Sequence, residues 1–295
     1  MNEVAISQDR PLARRIVDYP LVAMMAAIAL YVIVLGIAGA LAMFALPATP
    51  GLSFEMKVDL VALPLVVLLY KLVIARLGDV PRDDLRARGA LRPLALGLIV
   101  GLVLFSACVA VAALLGVYRI VGVGSLNGLL PALVMSAIFP AISEEILFRG
   151  ILFRWIEEFG GSWLALLVTS LLFGAAHLLN PHASPVAAIG IALEAGVMLG
   201  AAYMLTRSLW LPIGLHAAWN FTQGEIYDIP VSGRDVNALV VARLDGPPLL
   251  TGNGFGLEAS LIAIAVATLF GFWLLWRAIR AGQLVQPSWL GRSAG

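Results

Sequence analysis

The chain has 295 residues, of which 61% are hydrophobic and 13% charged, and its mean hydropathy is +0.97. Soluble domains carry roughly 45–50% apolar and about 25% charged residues, so this composition excludes both a soluble globular protein and a disordered one. Nineteen basic residues against 18 acidic ones give a net charge of +1, which provides no footprint for nucleic acid, and the single cysteine, Cys108, excludes an internal disulfide.

The first apolar run, residues 20–46, carries no charge. It exceeds the roughly 20 residues a spanning helix needs and the roughly 7–15 of a signal-peptide core. Further spans are predicted at residues 57–77, 94–116, 128–153, 162–179, 183–206, 209–223 and 255–277. The expected architecture is therefore all-α: a polytopic membrane protein of eight transmembrane helices, one membrane domain over residues 1–295. No internal repeat is visible.

Basic residues orient these spans. With both termini cytoplasmic, Arg10, Arg14, Arg15, Arg76, Arg82, Arg86, Arg88, Arg92, Arg149, Arg154, Arg207, Arg277, Arg280 and Arg292 fall on the cytoplasmic side. Only Lys57, Arg119, Arg234 and Arg243 fall opposite, and Lys71 lies within a span. This is the bias of the positive-inside rule. The arginine-rich residues 79–92 read either as a segment lying on the anionic membrane surface or as a plain cytoplasmic loop. Residues 225–254, on the other side, read as a lid or a connector.

Ionisable groups inside a span cost roughly 2.5–3.5 kcal/mol each, so each asks for a function. Asp59, Lys71 and Glu258 lie near span ends, where snorkelling accounts for them. Glu144, Glu145, Arg149, His177, Glu194 and His216 do not. Glu145 and Arg149 are four apart, on one helical face, with the acid first, which is the favourable order for an ion pair. Glu144 projects about 100° away and has no such partner, which suits a general base or acid. A purely structural ion cluster would not call for two adjacent acids at that depth. Glu194 sits among small residues, and support of a neighbouring helix is preferred over catalysis for it.

Gly160-Gly161 marks a helical turn, with Ser162 as the N-cap of the next span. Folded about that midpoint, Glu144 and His177 are each 16.5 residues away and come to the same depth. Measured from an interfacial Trp155, Glu144 lies about 16 Å in; measured from Trp210, His216 lies about 9 Å in. The three elements would converge in a cavity reached from the cytoplasmic side.

Two carboxylates, two imidazoles, an arginine and the Asn220 amide suit hydrolysis by activated water. Cys108 and Ser143 have no base beside them and read as packing residues. The helical zinc-protease signatures are absent. Two histidines and a glutamate could still hold a metal if their helices meet. The sequon at Asn220-Phe221-Thr222 lies in a span and is discounted.

Glu144-Glu145-x-x-x-Arg149, Phe173-x-x-x-His177 and His216-x-x-x-Asn220, each on its own predicted helix, resemble the motifs of the CPBP intramembrane protease family. That group contains the type II CAAX prenyl endopeptidases and the bacteriocin-processing and immunity proteins. Gly196 and Gly200 resemble its glycine-spaced third motif, and residues 206–224 and 251–261 look like a bacterial branch. The motif-bearing core is residues 128–224, helices four to seven.

The resemblance implies an eight-span helical fold and peptide-bond hydrolysis. Glu144 and His177 would activate the water, and Glu145 and Arg149 would support them. His216 and Asn220 would stabilise the oxyanion, at about 3–4 kcal/mol per donor. Metal use is open in the family; Glu145, His177 and His216 would be the ligands, with zinc the ion. The implied partners are a peptide or protein substrate, lipidated if of CAAX type, and membrane lipid. The implied location is the plasma membrane of a bacterium, as a multi-pass protein. The rival readings are a non-catalytic immunity or partner-binding membrane protein, and a proton-coupled transporter relaying through Glu144, Glu145 and Glu194. The second lacks the inverted repeats such carriers show.

Overall fold

A computed structural model describes residues 11–46, 53–125, 127, 129, 133–236 and 238–290. Arg10, Arg292 and the first residues of the expected fourth span, 128 and 130–132, lie outside them. The chain opens with the short α1, Leu12–Asp18, and the long α2, Pro20–Ala45, which begins on a proline whose missing N–H costs nothing at a first turn. Next come α3, Phe54–Leu72, capped by the Ser53 hydroxyl, and α4, Leu91–Leu114.

Strand β1, Tyr118–Val123, precedes a 47-residue helical stretch, Leu133–Leu179. That stretch contains α5, Phe139–Glu145, flanked by wide π-type turns at Leu133–Ile138 and Ile146–Phe153, and then α6, Arg154–Ala176, which closes in a 3-10 turn at His177–Leu179. After it come α7, Pro185–Ile191, a π turn at Ala192–Gly196 and α8, Val197–Thr206. Helix α9, Trp210–Phe221, runs into a π turn at Thr222–Ile226. Strand β2, Val240–Leu244, the short α10, Pro248–Thr251, and α11, Leu261–Arg280, complete the chain.

The protein is an all-α polytopic membrane protein in class. Six helical stretches among the described residues are long and apolar enough to cross a bilayer: Pro20–Phe44, Phe54–Arg76, Leu91–Leu114, Leu133–Leu179, Pro185–Thr206 and Leu261–Arg280. Their outer faces expose Met25, Val32, Ile33, Ile99, Val103, Leu269 and Phe272 by more than half, a belt that only lipid covers at no cost. Pro185–Thr206 is the innermost, 72% buried.

The expected eight differ from these six at two places. Leu133–Leu179 is helical throughout by hydrogen bonding, but Gly161 inside it has φ 80° and ψ 170°. That conformation breaks the helix axis and is open to glycine alone. Phe148 and Phe173, equidistant from the Gly160–Gly161 midpoint, stack edge to face at 4.8 Å, so the stretch folds back on itself as the spacing predicts. Helix α9 with its π turn is the other difference, being shorter than 18 residues.

Several local expectations are corrected. Ser162 does not cap its own helix: its hydroxyl donates to Glu157 and accepts the Val285 N–H, tying the turn to the C-terminal segment. Trp155 is fully buried beside the Arg154 guanidinium, 4.9 Å away, so it marks no interface. Arg154 is itself fully buried and donates to the carbonyls of Ile74, Leu77, Val80 and Arg82, which binds the 79–92 segment to the helix bundle. The β1–β2 antiparallel ribbon is absent from the sequence reading; its valine- and isoleucine-rich strands sit in what read as loops.

Glycine sets the position of α9. A Cβ on Gly97 would lie 2.4 Å from the Leu211 carbonyl, and one on Gly101 would lie 2.4 Å from that of Leu215. Only hydrogen at those positions lets α4 and α9 approach backbone to backbone, as small-xxx-small patterns do in membranes. This contact positions the helix that carries His216 and Asn220.

Candidate active site

Glu144 and Glu145 end α5, and the π turn that follows carries Arg149. Such wide turns recur where a helix is adapted to a function. Arg149 and Glu145 are both fully buried, and Arg149 Nη1 donates to Glu145 Oε1 at 2.8 Å, the pair foreseen from their spacing. Arg149 Nη2 also donates to the carbonyls of Ala195 and Gly196, each at 3.2 Å, and its Cζ lies 4.8 Å from the centroid of the Phe173 ring. The arginine therefore joins three helical stretches. It belongs to the interior, and the sequence reading that counted it on the cytoplasmic surface is corrected.

His216 on α9 contributes what spacing could not foresee. Its Nδ1 lies 3.0 Å from the same Glu145 Oε1. A carboxylate there takes the Nδ1–H, holds the ring and leaves Nε2 as the free nitrogen. His177, half-buried at the end of α6, has its Nδ1 2.7 Å from the Phe173 carbonyl, which likewise takes Nδ1–H and leaves the Nε2 lone pair. Phe173 lies between the two imidazoles, with ring centroids 4.8 Å from His177 and 6.1 Å from His216.

Both histidines line one cavity, with Asn220, Phe173, Glu194 and Glu258 among its other walls. Its free space has room for about one water. Asn220 Nδ2 donates one hydrogen to the Ser136 carbonyl at 2.9 Å, which leaves its second amide hydrogen available. Glu144 is not among the lining residues; its Oε2 is buried without a hydrogen-bond partner, four residues before Phe148, which packs on Phe173.

The cavity walls also include Ser232 and Glu258, so the segment after α9 packs against it, and neither Trp155 nor Trp210 lines it. Glu258 is also reassigned. It does not snorkel: it is 2% exposed and accepts the Ser232 backbone N–H. Its position in an apolar run was the available signal, and its place just before α11 hid it.

Two further residues escaped the sequence reading. Tyr31 on α2 donates its hydroxyl to the Ser143 carbonyl at 3.0 Å, bracing the turn that carries Glu144. Ser136 donates to Glu225 Oε1 at 2.7 Å and presents its carbonyl to Asn220. The proposed metal trio does not assemble. Among the described residues no three His, Cys, Asp or Glu side chains gather as a ligand set, and Glu145 Oε1 is taken by Arg149 and His216. These donors do not fit zinc.

His177 and His216 with Asn220 line one small cavity within a helical membrane bundle, and Glu145 and Arg149 reach it through the Glu145–His216 hydrogen bond. Residues 125–222 match the family model described as Type II CAAX prenyl endopeptidase Rce1-like. This region resembles that family. The match spans about one third of the chain and includes Glu144, Glu145, Arg149, His177, Glu194, His216 and Asn220. It stops before Ser232 and Glu258. No curated protein and no solved structure matches the chain. The six apolar helical stretches make the chain a multi-pass membrane protein, and the matched segment lies within them.

Proposed function

We propose that the chain is an intramembrane endopeptidase of eight spans that hydrolyses peptide bonds with water activated by Glu144 and His177. One observation carries this reading: His177 and His216, from different helices, each have Nδ1 engaged and line a cavity with room for about one water. His177 Nε2 accepts a hydrogen bond from that water. The Glu144 carboxylate turns into the cavity, takes the proton as the water oxygen attacks the peptide carbonyl, and returns it to the leaving amine.

The negative charge then develops on the former carbonyl oxygen. Asn220 offers its remaining amide hydrogen. His216 stands beside it on the cavity wall, its ring held by the Glu145 carboxylate on Nδ1, and offers Nε2–H when both ring nitrogens carry a proton. Arg149 holds Glu145 in place for that task. The substrate is a membrane-associated peptide, of CAAX type or another, and the membrane is that of a bacterial cell.

The test is turnover of quenched-fluorescence peptides by the purified chain in proteoliposomes, beside an ion-flux measurement on the same vesicles. Hydrolysis that disappears in Glu144→Gln supports the reading. A proton flux without hydrolysis would replace it with a transporter, and neither activity would replace it with a partner-binding protein. Trapping peptides on the Glu144→Gln chain and reading them by mass spectrometry identifies the substrate.

A further inference from the structure

Two carboxylates in the cavity wall have no part in the hydrolytic steps. Glu194 lies in the π turn Ala192–Gly196, and Glu258 lies in the 3-10 turn Leu257–Ala259. Both are at least nine-tenths buried, and each charge is within electrostatic reach of the other. Glu258 has the Ser232 N–H on Oε1 and the Gln223 side chain beside it, whereas Glu194 Oε2 is buried with no hydrogen-bond partner. Among the described residues no Lys or Arg lines the cavity; its basic groups are the His177 and His216 imidazoles, whose Nδ1 atoms are taken by the Phe173 carbonyl and by Glu145. The neighbouring Arg149 is spent on Glu145 and on the Ala195 and Gly196 carbonyls. An orphaned carboxylate oxygen beside a second acid, in a space of low dielectric, is a group waiting for donors and positive charge.

We infer that Glu194 and Glu258 form a recognition site for a primary ammonium group of the substrate peptide, from a lysine side chain or a free N-terminus near the scissile bond. The inference rests on the hydrolytic reading above. An ammonium is about the size of the single water the cavity has room for, and it offers three donors, enough for both carboxylates. A guanidinium is planar and larger, and a C-terminal carboxylate would meet two acids of its own sign. Glu258 lies beyond the Rce1-like segment, so this preference depends on a part of the chain outside the family match.

The test uses the full chain in proteoliposomes and short quenched peptides, degenerate except for one fixed position. That position is lysine or Nε-acetyl-lysine, and each set is made with a free and with an acetylated N-terminus. The lysine set is expected to turn over about ten-fold faster than the acetyl-lysine set, with the ratio falling toward one in Glu194→Gln and in Glu258→Gln. A ratio that instead follows the free N-terminus assigns the ammonium to the terminus. A ratio near one for both comparisons in the unaltered chain overturns the proposal, and that arm needs no variant to fold. If no peptide is cleaved, the hydrolytic reading fails, and thermal melting of the Glu144→Gln chain with the same peptides decides separately. Stabilisation by amine-bearing but not acetylated peptides then supports the ammonium site, and equal effects refute it.

Discussion

Glu145 and His216 stand 71 residues apart in sequence and are joined by a 3.0 Å hydrogen bond between Oε1 and Nδ1. The same oxygen takes the Arg149 guanidinium at 2.8 Å. One carboxylate oxygen thereby connects the helix that bears the acid pair to the helix that bears the second imidazole. It sets which nitrogen of His216 is left for chemistry.

Breaking this junction on one side should cost stability as well as turnover. Glu145→Gln strands a fully buried guanidinium, and Arg149→Ala strands a buried carboxylate. Each is expected to destabilise the protein by about 3–5 kcal/mol. The double variant Glu145→Gln, Arg149→Met should lose less than the two singles added together. Melting in detergent reads all three; equal melting of the Glu145→Gln and unaltered chains would refute the junction's structural role.

Glu144→Gln should behave in the opposite manner. Its buried Oε2 makes no hydrogen bond, so the amide removes no observed contact. Turnover should fall by about 10²–10⁴-fold, the usual contribution of a general base, while melting stays at the unaltered value. Retained turnover would transfer the base role to another group.

Helix α9 reaches the site only because glycine allows it. Gly101→Val places a branched side chain where even a Cβ would lie 2.4 Å from the Leu215 carbonyl. A loss of about 1–3 kcal/mol is expected, with reduced turnover because His216 and Asn220 move with α9. Gly36→Ala on α2 is the control. No atom lies within 4 Å of its Cβ position, and removing a helical glycine should be neutral or stabilising by up to about 1 kcal/mol. Equal effects of the two changes would argue against the close crossing.

The donor set predicts the response to chelators. Glu145 is committed to Arg149 and His216, and no ligand trio forms among the described residues. Dialysis against 1,10-phenanthroline is expected to leave peptide turnover unchanged. Loss of turnover restored by added zinc would require that the junction open to release Glu145.

What the amino-acid order determined by itself was local or additive. Apolar run length and scarce charge establish a membrane bundle, because each span must satisfy its own backbone in lipid. The i,i+4 spacing of Glu145 and Arg149 is a property of one helix, and Gly160-Gly161 marks the fold-back that brings Phe148 against Phe173. The tertiary structure decided what depends on how helices pack. It took Trp155 and Arg149 into the interior and drew His216 onto Glu145. It also placed Glu258, from the segment before the last helix, in the same cavity wall as Glu194. Those outcomes rest on backbone approaches such as Gly101 to Leu215 and on bonds between residues 71 and 112 positions apart. No periodicity within a single span encodes such contacts, since they follow from the crossing of two helices and the shapes of both faces.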